Sequence, residues 1–94
     1  MGGLAHAIPL TGSDQIVAAG AAVLVGYTVR ETAGAAAVVR IYDHEAAASG
    51  TILAAVALAA NESVDVMYPR PARAVRGVFV DVVSGAVEGS VRIG

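Results

Sequence analysis

Residues 23–30 read Val-Leu-Val-Gly-Tyr-Thr-Val-Arg, and this stretch decides the fold class. Its odd-numbered positions from Val23 to Val29 are all apolar, whereas Thr28 and Arg30 lie between or beyond them. Side chains of a β-strand point alternately to its two faces, so a period of two gives one apolar face. The stretch therefore predicts a half-buried strand.

Five further runs with the same period follow this stretch. They span residues 38–42, 51–58, 63–68, 77–83 and 90–93. Residues that favour turns separate them, for example Thr32-Ala33-Gly34 and Ser84-Gly85. The Ala-rich segment 52–61 has helical propensity as well, but its Thr-Ile-Leu start, its Val56 and its short length favour a strand. We predict an all-β fold, a small antiparallel β-sandwich or barrel of about six to eight short strands.

The first 15 residues have a different character from the rest of the chain. Met1-Gly2-Gly3 is flexible in composition, Pro9 favours an extended backbone before it, and residues 11–14 have turn chemistry. We predict an extended N-terminal arm over residues 1–15 and a single β-sandwich domain over residues 16–94. Such an arm is either disordered or lies on a neighbouring molecule.

Composition limits the possible partners. The 94 residues carry a net charge of −2, and their six basic residues, all Arg, form no basic stripe of the kind that binds nucleic acid. The longest apolar run, 16–25, is half as long as the roughly 20 residues of a membrane-spanning helix. We therefore expect neither nucleic acid nor membrane as a partner. The 56% hydrophobic content exceeds the usual 45–50% of soluble domains, which indicates apolar surface covered by a homo-oligomer or larger assembly.

No catalytic, cofactor-binding or metal-binding motif appears in the sequence. Asp43-His44-Glu45 is the densest polar cluster, and we interpret it as a hairpin loop, because neighbouring residues of an extended chain point in different directions. Asp65 and Asp81 fall on polar faces of predicted strands and could be cross-strand neighbours, although a role in solvating a sheet is the simpler interpretation. We expect no enzymatic activity and no cofactor.

Half of the arginines lie in the stretch from Tyr68 to Arg76, which contains two prolines. Prolines are excluded from the interior of a sheet, so this stretch is predicted to be a loop. Its arginines either face solvent or bind carboxylates of a partner.

Several apolar residues fall on the outward faces of their predicted strands. Burial by a neighbouring molecule would explain them. Together with the arm and the arginine-rich stretch they form the predicted partner-contact set: Leu4, Ile8, Pro9, Leu10, Leu24, Leu53, Arg70, Arg73, Arg76, Phe79 and Val83.

Four stretches, residues 26–32, 40–43, 49–53 and 77–81, resemble small β-rich virion proteins of tailed phages of actinobacteria. The resemblance covers about residues 23–93 and lies in the pattern rather than in a diagnostic motif. It implies a capsid decoration protein on the capsid exterior, a homo-oligomer with a trimer favoured, and the major capsid protein as partner. No catalytic residues carry over. A tail or head-fibre protein, or a small carbohydrate- or peptide-binding module, is the alternative.

Overall fold

The structure is a computed structural model and describes residues 5–94. Its secondary structure consists of eight strands, which are in chain order β1 (His6–Pro9), β2 (Gln15–Ala18), β3 (Ala22–Glu31), β4 (Ala37–Asp43), β5 (Thr51–Leu58), β6 (Ser63–Ala74), β7 (Val78–Ser84) and β8 (Val87–Ile93). The predicted all-β fold is confirmed, and the Ala-rich segment 52–61 forms a strand over most of its length.

The strands form two four-stranded antiparallel sheets that pack face to face. The first sheet has the order β1-β8-β3-β6, and the second has the order β2-β7-β4-β5. Within these sheets β1 pairs with β8, β2 with β7, β3 with β6, and β4 with β5. A long hairpin rolled up on itself produces this nested pairing, and the arrangement is that of an eight-stranded jelly roll.

The core lies between the sheets and consists mainly of Val, Leu and Ile from alternate strand positions. Its largest fully buried apolar side chains are Leu24, Val29, Val39, Ile41, Val78, Val80 and Val91. Tyr27 adds an edge-to-face contact with Tyr68, with ring centroids 6.3 Å apart. β-branched residues pack well on a pleated surface, so Val and Ile fill this layer although the chain has one Phe and no Trp.

The alternation in β3 is interrupted by a bulge between Leu24 and Gly26. Because the bulge adds one residue, Leu24 comes onto the same face as Tyr27 and is completely buried. The prediction that Leu24 faces outward is therefore wrong. Because Leu24 is buried, it does not contact a partner in the folded chain. Gly26 permits the bulge, since a Cβ there would overlap the carbonyl oxygen of Val66.

A second bulge, in β5, corrects the predicted faces of that strand. Ile41 lies opposite Ala54 but Tyr42 lies opposite Ile52, so Leu53 is the extra residue. Leu53 consequently packs against the core, although alternation predicts an outward position, and Ile52 points outward instead with half of its side chain exposed.

The arginine-rich stretch is largely strand rather than loop, because β6 continues to Ala74. Two features accommodate its prolines. β6 is an edge strand, and the residues from Tyr68 to Pro71 bulge out of the ladder between the Leu24–Ala72 and Gly26–Met67 pairs. Pro69 and Pro71 lack a backbone N–H, but in this position the sheet loses no hydrogen bond.

The segment expected to form an arm also belongs to the sandwich. Residues 6–9 pair with β8 along the edge of the first sheet, and Ile8 lies opposite Val91. The N–H of Leu10 donates to the carbonyl oxygen of Gly89 at 2.9 Å, and the Leu10 side chain packs against the core. From His6 onward this segment completes the chain's own sheet instead of reaching to a neighbour.

Candidate functional site

The outer face of the first sheet is mainly polar, although Met67 is exposed on it. Asp65 accepts hydrogen bonds from the Thr28 hydroxyl at 2.8 Å and from the Arg92 guanidinium at 2.9 Å, and both contacts lower the pKa of the Asp65 carboxyl. Arg30 and Glu88 form an exposed ion pair on the same sheet. These charges are paired with one another and solvate the sheet.

The outer face of the second sheet carries an apolar row that crosses all four strands. Ile16 on β2 lies opposite Phe79 on β7, Phe79 lies opposite Tyr42 on β4, and Tyr42 lies opposite Ile52 on β5. Residues directly opposite each other share a face. Phe79 is 8% exposed between its neighbours, whereas Ile16 and Ile52 at the two ends are each 50% exposed. We call these four residues the outer row.

Charged residues lie beside the outer row on the same face. Asp81 on β7 is opposite Arg40 on β4, and Asp14 approaches Asp81 while accepting the Val82 N–H at 2.8 Å. Partial burial and the nearby Asp14 carboxylate raise the pKa of Asp81, and Arg40 opposes this effect. Val83, the extra residue of a bulge near the end of β7, is also exposed.

The Asp43-His44-Glu45 cluster and the end of the arginine-rich stretch meet at one end of the sandwich. Asp43 accepts hydrogen bonds from the backbone N–H groups of Arg76, Val75 and Gly77 at 2.8, 3.0 and 3.3 Å. These bonds, with that of Arg76 the strongest, lower the pKa of Asp43. Arg76 also pairs with Glu45 through its guanidinium. Asp43 and Glu45 thus hold the connection between β6 and β7 in place.

At the opposite end of the sandwich, a buried carboxylate holds two connections between strands in place. Glu31 is completely buried and accepts four backbone N–H groups, from Ala33, Gly34 and Ala35 in the β3–β4 connection and from Asn61 in the β5–β6 connection. The bond from Asn61, at 2.8 Å, has the largest effect, and together these bonds lower the pKa of Glu31 against the opposing effect of its burial. Sequence reasoning missed Glu31, because an acidic residue at a strand end is usually solvated.

The predicted partner-contact residues do not form one surface. Leu4 lies outside the described residues, and Leu10, Leu24 and Leu53 are core or core-packed. Pro9, Arg70 and Arg73 are exposed on edge strands of the first sheet, Ile8 is half-buried there, and Arg76 is held by Glu45. Of the predicted set, Phe79 lies on the outer face of the second sheet, where the structure adds Ile16, Tyr42 and Ile52. Val83 is exposed in a bulge near the end of β7.

Residues 5–94 contain no cluster of three metal-ligating side chains and no pocket. Asp65 and Asp81 are not neighbours, because they lie in different sheets. In the same residues no helix has the length and hydrophobicity to cross a membrane.

No family model, curated protein or solved structure matches the chain.

Proposed function

We propose that this chain is a phage structural protein, a decoration protein that binds the outer surface of the major capsid lattice and stabilises it without catalysis. The outer row of the second sheet carries this proposal. Monomeric proteins rarely leave continuous apolar surface exposed, and such surface marks an interaction site. Here an apolar row crosses one outer face of the sandwich, with Ile16 and Ile52 half exposed at its ends, whereas the other outer face carries paired charges.

Two further observations support the proposal. Eight-stranded jelly rolls are frequent in viral capsid domains, although the same fold also occurs in lectins and cupins, so the fold alone does not decide function. The likeness of four sequence stretches to phage virion proteins points to the same class.

The proposed mechanism is mass action. A protein that binds only the assembled lattice stabilises that lattice, and the stabilisation grows as the free protein concentration rises above the dissociation constant. In this arrangement the outer row lies against the capsid surface, and the flanking carboxylates Asp14 and Asp81 select a capsid patch with basic side chains.

A binding assay with shells assembled from the phage's major capsid protein tests the proposal. Wild-type protein should co-sediment with the shells and raise their melting temperature. The double variant Ile16→Ser/Ile52→Ser should lose most of this binding, since it removes both exposed ends of the outer row. Met67→Ser, which alters an exposed apolar residue of the first sheet, is the matched control and should bind normally.

Thermal unfolding of each variant separates loss of binding from loss of folding. Normal binding by a folded Ile16→Ser/Ile52→Ser variant would contradict the proposal. Localisation of the protein to the tail or to a head fibre in labelled virions would assign it to the alternative structural role.

A further inference from the structure

The two sheets have four edges, and β5 is the only edge strand among residues 5–94 that is both long and unprotected. It has eight residues, Thr51–Leu58, without a charge or a proline. Its bulge at Leu53 lies near the start of the strand and leaves residues 54–58 regular. One side of β5 pairs with β4, and no strand formed by residues 5–94 lies beside the other side. Its outward backbone N–H and C=O groups are therefore a template for another strand.

The other three edges carry the features that prevent strand addition. β6 has Pro69 and Pro71 in a bulge, flanked by Arg70 and Arg73. β1 has four residues and ends in Pro9, and β2 has four residues with a bulge. Prolines, bulges, charges and short length are the usual means by which an edge is blocked.

We propose that β5 pairs antiparallel with β5 of a second copy of this chain, about a two-fold axis. Pairing by a two-fold axis needs only one self-complementary edge. A ring of three built by edge pairing would need a second open edge that matches β5, and the described residues offer none. The edge chemistry therefore favours a dimer over the trimer that the resemblance implies.

The regular part of β5 sets the register. Beyond the bulge at Leu53, residues 54–58 alternate between buried and exposed positions. Pairing centred on Val56 uses all five of these residues and keeps each face in phase. In this register Ala55 lies opposite Ala57 of the partner subunit, and two small side chains on the outer face let the strands approach closely.

The dimer extends the second sheet from four strands to eight. Ile52 ends the outer row at β5, so the pairing brings the outer rows of two copies onto one continuous surface. This inference does not rest on the proposed function, because it concerns the isolated protein.

Sedimentation velocity of the purified chain, from micromolar to millimolar concentration, tests the pairing. The wild type should shift from the mass of one chain to that of two as concentration rises. Ala55→Lys/Ala57→Lys places lysines opposite each other across the two-fold axis and should remain monomeric at every concentration. Met67→Lys, a change at an exposed position on the blocked edge strand β6, should dimerise as the wild type does.

Hydrogen exchange identifies the strand that forms the interface. Amides of residues 54–58 should gain protection on raising the protein concentration, and amides of β6 should not. A wild type that stays monomeric at millimolar concentration would overturn the proposal, as would a dimer that Ala55→Lys/Ala57→Lys leaves intact. Protection of β5 that appears only when a different protein is added would also overturn it, and would assign the edge to that protein.

Discussion

The Asp43 carboxylate and the Arg76 backbone are joined by a hydrogen bond of 2.8 Å, although 33 positions separate them in the chain. Asp43 ends β4 in the second sheet, and Arg76 lies in the crossover from β6 in the first sheet to β7 in the second. The bond therefore fixes the position at which the chain changes sheets.

Asp43→Asn should lower the melting temperature of the protein at neutral pH. The amide nitrogen of Asn is a donor and would face one of the N–H groups that the carboxylate accepts. Glu45→Gln, which keeps Asp43 and weakens only an exposed ion pair, should change the melting temperature much less. Equal melting temperatures for Asp43→Asn and the wild type would show that the Asp43 hydrogen bonds do not stabilise the fold.

Glu31 should make stability depend on acid pH. Its pKa is lower in the folded chain than in the unfolded chain, so the unfolded state binds more protons between the two values. Its contribution is therefore complete above the unfolded pKa of about 4.3 and is lost as the pH falls through the folded pKa.

Urea unfolding of the wild type and of Glu31→Gln from pH 7 to pH 3 measures this contribution. The variant should be less stable at pH 7, and the difference between the two proteins should shrink as the pH falls. A difference that stays constant over this range would show that the charge of Glu31 is not what binds the two connections.

Leu24→Ala should cost about 2–5 kcal/mol of unfolding free energy, because it leaves a cavity in a completely buried part of the core. Met67→Ala, on a residue that is 68% exposed, should stay within about 0.5 kcal/mol of the wild type. Urea denaturation followed by circular dichroism gives both values. A small effect at Leu24 would restore the outward position that simple alternation predicts.

Gly26→Ala should destabilise the protein by about 1–3 kcal/mol, since the added Cβ overlaps the Val66 carbonyl oxygen and forces the bulge to rearrange. Gly20→Ala is the matched control, because a Cβ at Gly20 meets no atom within 4 Å. Its unfolding free energy should equal or slightly exceed that of the wild type. Equal losses for the two variants would mean that the bulge does not depend on Gly26.

The sequence predicts β3, β4, β5, β7, β8 and the first half of β6, because a period of two is a local property, but it does not predict β1 and β2. It does not predict which strands pair, since the nested order joins segments from opposite ends of the chain. It also misplaces Leu24 and Leu53, because each bulge adds a residue and reverses the phase of alternation. Gly26 within an apolar strand is the one local signal for the first bulge.

The residues of the outer row are predicted only in part, because alternation holds only where a strand has no bulge. Phe79 lies in a regular part of β7, and alternation places it outward correctly. Val83 is exposed as predicted, but it is the extra residue of a bulge between Val82 and Ser84. Ile52 is predicted to face the core, because alternation alone does not reveal the bulge beside it. The arginine-rich stretch misleads the prediction, since two prolines indicate a loop when the edge position of β6 is unknown.

The nested pairing of the strands also sets an order for folding. β4 and β5 are joined by a short connection, so closing this hairpin costs the least chain entropy. Each further pair, β3 with β6 and then β2 with β7, spans a longer stretch of chain, and His6 reaches Ile93 only across nearly the whole molecule. Because non-local contacts dominate this topology, folding should proceed outward from the central hairpin and should be slow for a chain of this size, with β1 docking last.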